Sequence, residues 1–446
     1  MIDLKELELL RAALQTLEAG AQDLPPFTPQ VDAHAVAGVL GEVATRMQDN
    51  YPYFHPLYAG QMLKPPHPVA RLAYALSLWV NPNNHALDGG RASSAMEKEC
   101  IIELGRLFGW ESPLGHLAGG GTMANLEALW VAGREQPGKK VIASGMAHYT
   151  HSRISDVLGI PFADVAVDEA GRMDVAAVEE QLANGDAGTV VVTIGTTGLG
   201  VIDPLPEILA LRNRYEFRIH ADAAYGGYFG LAAEIDAPAR AALAALSEVD
   251  SIVIDPHKHG LQPYGCGCVL FRDPAVGVHY KHDSPYTYFS SGDLHLGEIT
   301  LECSRPGASA VALWATHRLL PMQPGGEFAA GLDACLRAAR EFWEALDRGS
   351  LFTPFVYPQL DIVTYAVNAE TATEASRRAR ATFDAAAERG LHLALIELPI
   401  EFARQYALHI AADADSIVCL RSVLMKPEHE DWVTKITALL EQSAAA

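Results

Sequence analysis

Four short stretches carry side chains able to do chemistry. SIVIDPHKHG, residues 251–260, runs from a β-branched segment into Lys258, flanked by His257 and His259. A lysine just past a strand is ordinarily a solvated charge, so its meaning depends on the other three. IHADAAYGGYFG ends an apolar run on Asp222, 36 residues before Lys258, and continues with the small Ala223 and Ala224. A carboxylate emerging from a sheet is unfavourable to bury without a cationic partner, and small neighbours leave space above it. AGGGTMANLEAL sets Gly119, Gly120, Gly121 and Thr122 directly before a helix-forming run. Free backbone N–H groups at a helix start, with a hydroxyl beside them, suit a phosphate; a flexible loop with Thr122 as helix cap accounts for the same residues equally well. Neither GxxxxGK[ST] nor GxGxxG is present. GMAHYTHSR places His148 and His151 after another apolar run, where a histidine is more often structural than catalytic.

The elements that must position these residues appear as alternating patterns. From residue 96, the helical SAMEKECIIELGRLFG is followed by GHLAGGGTMANLEALWVAG and by the apolar runs KKVIAS, TVVVTIG, FRIHADAA, SIVIDP and CVLFRD. Short β-branched runs alternating with helices predict βαβ units and a mainly parallel sheet, whose chemistry gathers at the carboxyl ends of the strands. This large domain spans 96–325. Beyond it, helical EFAAGLDACLRAAREFWEAL and ATEASRRARATFDAAAERG alternate with strand-like LDIVTYAV, LHLALIEL and SIVCLRSVLM, a small α+β domain over 326–446. Residues 1–95 start as an amphipathic helix and become rich in Pro, aromatic and Asn residues, the pattern of a segment lying across another surface.

Composition excludes several classes. The 446 residues, 49% hydrophobic, suffice for a large core. The 33 basic and 55 acidic residues give a net charge of −22, which disfavours nucleic acid as a partner. MIDLKELELLRAALQTLEAG lacks the basic start and apolar centre of a signal peptide, so a cytoplasmic protein with no membrane partner is expected. Cys100, Cys266, Cys268, Cys303, Cys335 and Cys419 are too sparse for a disulfide framework, and CGC at 266–268 lacks a second ligand pair for zinc. Buried thiols and no metal are expected.

Phosphate cradle, imidazole, buried Asp and Lys, in that order on a parallel sheet, resemble the pyridoxal-phosphate enzymes of fold type I. The nearer resemblance is to the group II amino acid decarboxylases, carried by GGGTMANLEAL, MAHYTHSR, IGTTGLGVIDP, HADAAYGGYF, DPHKHG and LECSRPGASAVALW over residues 50–320. It implies an α/β fold with a mainly parallel seven-stranded sheet flanked by helices, a small C-terminal α+β domain and an N-terminal helical segment packed on a dimer. It implies pyridoxal 5'-phosphate, held by Lys258 as a Schiff base. Asp222 would face the pyridine nitrogen. A charge pair about 4 Å apart at an effective dielectric near 20 gains ~4 kcal/mol, about three pKa units, enough to keep the ring protonated as an electron sink. His148 would stack on the ring and Ala224 would line its site. Gly121, Thr122 and His257 would contact its phosphate, joined by Ser304 from the neighbouring subunit, so that a homodimer shares its active sites.

The implied reaction is loss of CO2 from an L-amino acid to give the amine. A carbon-carbon lyase resembling sphingosine-phosphate lyase is the alternative within the cofactor class, and a non-catalytic regulatory protein that binds the cofactor is the alternative outside it. Joint retention of Lys258, Asp222 and His148 argues against the latter. In the resembling decarboxylases a loop at the position of KHDSPYTYFSSGD carries a Tyr that helps to protonate the substrate carbon, which implies Tyr286 or Tyr288; packing at a dimer interface is the other reading. Two positions depart from the family pattern. His259 stands where relatives have Trp or Phe, and Met123 where Glu or a small polar residue is usual. Arg305 and Arg421 either pair with a carboxylate of the substrate or sit in structural salt bridges.

Overall fold

A computed structural model describes residues 4–28, 30–281 and 294–445. Its larger sheet has seven strands: β1 (Leu114–Ala118), β2 (Lys140–Ser144), β3 (Phe162–Val165), β4 (Ala187–Thr193), β5 (Arg218–Asp222), β6 (Ser251–Ile254) and β7 (Gly267–Phe271). Their spatial order is β1-β7-β6-β5-β4-β2-β3. Strands β3, β2, β4, β5 and β6 pair in parallel, whereas β7 runs antiparallel to both β6 and β1. The fold is thus the expected α/β arrangement on a mainly parallel sheet. Two strands lie outside the apolar runs that signalled the others. β1 carries His116 at its centre, and β3 has one fully buried residue.

The period of two along each strand divides the side chains between two apolar layers. Val190, Val192, Ile219, Ala221, Ile252 and Ile254 enter the largest core cluster, while Val191 and Val253 enter separate clusters on the opposite side. On β5 this alternation leaves His220 and Asp222 out of the largest cluster. Helix Gly121–Glu135 meets them, because its Asn125 bonds to both. A buried polar pair is tolerable only with such partners.

A second, antiparallel sheet has the order β10-β11-β9-β8, formed by β8 (Phe352–Pro354), β9 (Ile362–Val367), β10 (Ala394–Pro399) and β11 (Ser416–Val423). Helices Glu327–Arg348, Ala372–Glu388 and Val433–Ala444 cover it through Phe342, Ala379 and Ile436. The turn after β4 joins the two sheets. Arg421 donates to the Thr197 carbonyl (2.9 Å), and Thr364 donates to the Gly198 carbonyl (2.8 Å). Helices Glu6–Ala19 and Ala33–Met47 bury no residue, and the second leaves Val36, Val39, Leu40 and Val43 exposed.

All six cysteines are free, and five are buried. Cys303 is exposed, contrary to the expectation of buried thiols throughout, because it sits in the irregular segment that follows the short helix Leu296–Ile299. Among the described residues no helix is long and apolar enough to cross a membrane, and no group of three His, Cys, Asp or Glu side chains could hold a metal.

Candidate active site

The segments that follow β1, β2, β4, β5 and β6 open into one cavity of about 510 Å³. Gly119 to Met123 line it after β1, His148 and Thr150 after β2, Thr193, Gly195 and Thr197 at the end of β4, Asp222, Ala224 and Tyr225 at the end of β5, and Asp255, His257 and Lys258 after β6. Ten residues singled out in the sequence therefore meet in one space: Gly119, Gly120, Gly121, Thr122, Met123, His148, Asp222, Ala224, His257 and Lys258. Ser304 is exposed and is not part of its own chain's cavity wall; its hydroxyl accepts from Asn83 Nδ2 at 3.1 Å. Tyr286 and Tyr288 lie outside the described residues.

The glycine-rich stretch opens helix Gly121–Glu135 without a side-chain cap. Its first intrahelical bond runs from Ala124 N–H to the Gly120 carbonyl, so the N–H groups of residues 121 to 123 precede the helical ladder and face no intrahelical acceptor. Gly120 has φ +150°, a conformation that L side chains rarely adopt. A Cβ on Gly121 would stand 2.7 Å from Asp255 Oδ2. The cradle and the lysine loop approach as closely as they do because this position carries no side chain.

Asp222 is buried and ionised. Burial alone would raise its pKa, but the hydrogen bond from His151 and the nearby charge of Lys258 outweigh burial and hold the carboxyl below the usual range. His151 Nε2 lies 2.9 Å from Asp222 Oδ2, Asn125 Nδ2 donates to the same oxygen at 3.3 Å, and Ala224 N–H donates to Oδ1 at 3.2 Å. Asn125 Oδ1 in turn faces His220 Nε2 at 2.8 Å, and His220 Nδ1 faces Ser251 Oγ at 2.9 Å. His220, held neutral with a pKa of about 3, first by burial and then by the charge of His151, donates from Nε2 to Asn125. Asn125 therefore presents its NH₂ to the carboxylate.

The nearest partner of Asp222 is His151, which the sequence alone suggested was structural, and Lys258 supplies a positive charge nearby. Asn125, one turn into the helix, and Asp255, three residues before Lys258, were not singled out. Their signal was the spacing itself, since positions three and four apart face the same way on a helix or tight turn. Asp255 Oδ2 sits 3.1 Å from Lys258 Nζ. His257 donates from Nδ1 to the Cys266 carbonyl at 2.8 Å, and its ring lies 4.6 Å from that of Tyr264. His148 accepts at Nδ1 from Thr150 N–H (3.3 Å), and burial lowers its pKa, leaving a neutral ring. Arg305 sits in a structural bridge, 2.7 Å from Glu97 and 2.6 Å from the Leu117 carbonyl. Arg421 bonds Gln61 and the Thr197 carbonyl, with no carboxylate partner among the described residues.

These walls fit pyridoxal 5'-phosphate. Uncapped N–H groups suit its phosphate, an ionised buried carboxylate suits its ring nitrogen, and a lysine held on a tight turn suits its aldehyde.

Comparison with known proteins points the same way. The chain is 31% identical over 311 residues to a probable L-tyrosine/L-aspartate decarboxylase of Methanothermobacter thermautotrophicus, covering 69% of this chain and 82% of that protein. It is 27% identical over 446 residues to an L-tyrosine decarboxylase of Enterococcus faecium, covering 75% and 73%. Among solved structures, mouse CSAD superposes with a TM-score of 0.79 at 19% identity over 98% of this chain and 99% of that one. Oryza sativa TDC with PLP and tryptamine superposes with a TM-score of 0.79 at 16% identity over 99% and 96%. At such identities the two structures speak to the fold alone. The model of the pyridoxal-dependent decarboxylase conserved domain matches residues 42–367. With most of its length matched, the chain belongs to the pyridoxal-dependent decarboxylase family and is a pyridoxal-phosphate-dependent amino acid decarboxylase.

Proposed function

We propose that the enzyme converts an L-amino acid with an uncharged, aromatic side chain, of the tyrosine type, to its amine and CO2. The observation that carries the substrate class is the charge of the cavity wall. Lys258 is its one Lys or Arg among the described residues, and Glu302 also lines it. An aspartate side chain would bring a second carboxylate with no cation left to receive it. A carbon-carbon lyase acting on a phosphorylated substrate would need a further cationic site, which the described wall also lacks.

In this reading Lys258 tethers the cofactor, and Gly121, Thr122 and His257 hold its phosphate. When bound, the cofactor supplies a protonated ring that accepts the electron pair left by the departing carboxylate. Asp222 keeps the proton on the ring nitrogen, and His151 and Asn125 keep Asp222 ionised and aimed. His148, neutral and oriented by Thr150, would stack on the cofactor ring, and Ala224 would line its site. Tyr286 or Tyr288 delivers the proton that replaces CO2 at Cα.

The working unit in this reading is a cytoplasmic homodimer whose protomers divide at about residues 95 and 325. The uncovered apolar side of helix Ala33–Met47 supports pairing with a second copy, and the exposed Ser304 is available to a neighbour. Six free thiols fit a reducing compartment.

The experiment is amine detection from holoenzyme offered each proteinogenic amino acid. Tyramine from tyrosine, with little or no β-alanine from aspartate, is expected. β-Alanine as the main product would overturn the substrate class, and no amine from any amino acid would overturn the reaction.

A further inference from the structure

A second cavity, about 500 Å³, has no wall residue in common with the first. His259 lines it, one residue beyond Lys258, together with Lys64 and Lys426. The remaining wall is largely apolar and includes Leu261, Phe328 and Leu332.

Its charged wall residues are two lysines and two glutamates, and the buried one of the four is Lys426. Lys426 is 3% exposed and donates to the Tyr58 carbonyl at 2.6 Å; Lys64 donates to the Met425 carbonyl at 3.2 Å. Neither ammonium has a carboxylate within ion-pair distance among the described residues. Both ring nitrogens of the buried His259 lack a hydrogen bond, although Nε2 lies 3.1 Å from Asp361 Oδ2. Asp361 is the one buried carboxylate of the cluster, and its other oxygen accepts from Tyr225. The two glutamates of the wall, Glu327 and Glu428, are exposed. The buried Lys426 and the half-buried Lys64 therefore have one buried carboxylate nearby, and it is already engaged. Each ammonium also has donors unused after its single carbonyl bond. An uncompensated charge in a low-dielectric site is unfavourable by several kcal/mol, and the lysines respond: burial lowers both pKa values, that of Lys426 to about 7.

We propose that this cavity is a binding site for a small organic acid, its carboxylate received by Lys64 and Lys426 and its hydrocarbon part lying against Leu261, Phe328 and Leu332. A monocarboxylate fits better than a phosphate. The apolar wall needs a hydrocarbon partner, and the exposed glutamates disfavour a dianion. The volume is that of a small-molecule site.

The test is calorimetric titration of holoenzyme with hexanoate and, separately, with hexanamide, which keeps the chain and removes the charge. Saturable binding of one hexanoate per chain is expected, with none of hexanamide. Lys64→Met and Lys426→Met should each weaken hexanoate by about tenfold or more. If either lysine variant fails to fold, Ala330→Trp serves instead. Ala330 is exposed where it lines the cavity, and the indole should obstruct entry with the same loss of binding. Absence of saturable binding, equal binding of the amide, or binding unchanged in every folded variant would overturn the proposal. The readout is binding rather than turnover, so its failure and a failure of the proposed decarboxylation are distinguishable.

Discussion

His151 Nε2 stands 2.9 Å from Asp222 Oδ2, with both side chains buried beneath the cavity. The carboxylate is thus held by a partner in the helix Thr150–Leu158 that follows β2. Asp222→Asn keeps the shape and removes the charge. Its holoenzyme should retain cofactor while turnover falls by roughly 10²- to 10³-fold, the scale of losing one preorganised electrostatic contact. Turnover near normal would remove Asp222 from the mechanism.

His151→Phe tests the pair from the other side. The ring volume is roughly preserved, but Asp222 loses its hydrogen bond to His151, so its carboxyl should take up a proton more readily. Cofactor should still bind, and the acidic limb of the pH–rate profile should move to higher pH. A unchanged profile would show that His151 serves packing alone.

The covalent assignment is checked by reduction. Borohydride treatment of holoenzyme followed by peptide mapping should find the pyridoxyl label on Lys258, and Lys258→Ala should abolish both label and turnover. A label on any other lysine would contradict the assignment.

Assembly is tested by complementation. Light scattering should give a dimer or larger. Ser304→Ala should weaken cofactor binding by roughly 10- to 100-fold, as for a hydrogen bond to a charged group. Mixed Lys258→Ala and Ser304→Ala protomers should then regain activity, because one site of each mixed dimer has both residues intact. No recovery on mixing would place Ser304 in its own chain's site or in none.

Acid should unfold the protein through its buried imidazoles. His220 and His429 have pKa values of about 3, lowered first by burial, and in each case also by a nearby positive charge, His151 or Lys426. Unfolded imidazoles titrate near about 6.5, so below that pH the unfolded chain binds protons that the folded chain refuses until about pH 3. Their contribution is complete above about 6.5 and is lost as the pH falls. Asp203, raised to about 6 by burial, acts in the opposite direction. Replacing His429 with Gln should flatten the fall by about 1.4 kcal/mol per pH unit, measured as urea stability at pH 7, 6 and 5. An unaltered slope would show that His429 is not held neutral.

The sheet and most of the site could be read from the chain because their signals are local. β4, β5, β6 and β7 are short apolar runs, and Asp222 and Lys258 stand at or just beyond the ends of two of them. What escaped depends on partners far apart in sequence. Asn125 and His151 meet Asp222 only when helix Gly121–Glu135 and the segment after β2 are laid beside β5, and the helical spacing of Asn125 from the glycine cradle does not by itself say which residue of β5 it will meet. β1 was missed for the same reason: its antiparallel neighbour is the last strand of the sheet. Cys303 escaped because thiol burial is a statistical tendency, and a loop can leave one outside.

That pairing has a further consequence for how the protein is made. Leu114 aligns with Phe271, so β1 gains its neighbour only after the last strand of the sheet has been synthesised. The glycine cradle follows β1 directly. A ribosome-bound or truncated chain ending before β7 has the residues of the cradle but not the strand that fixes them. Such a chain should leave a reactive aldehyde free in solution. The cradle is therefore expected to hold phosphate only in chains that include β7.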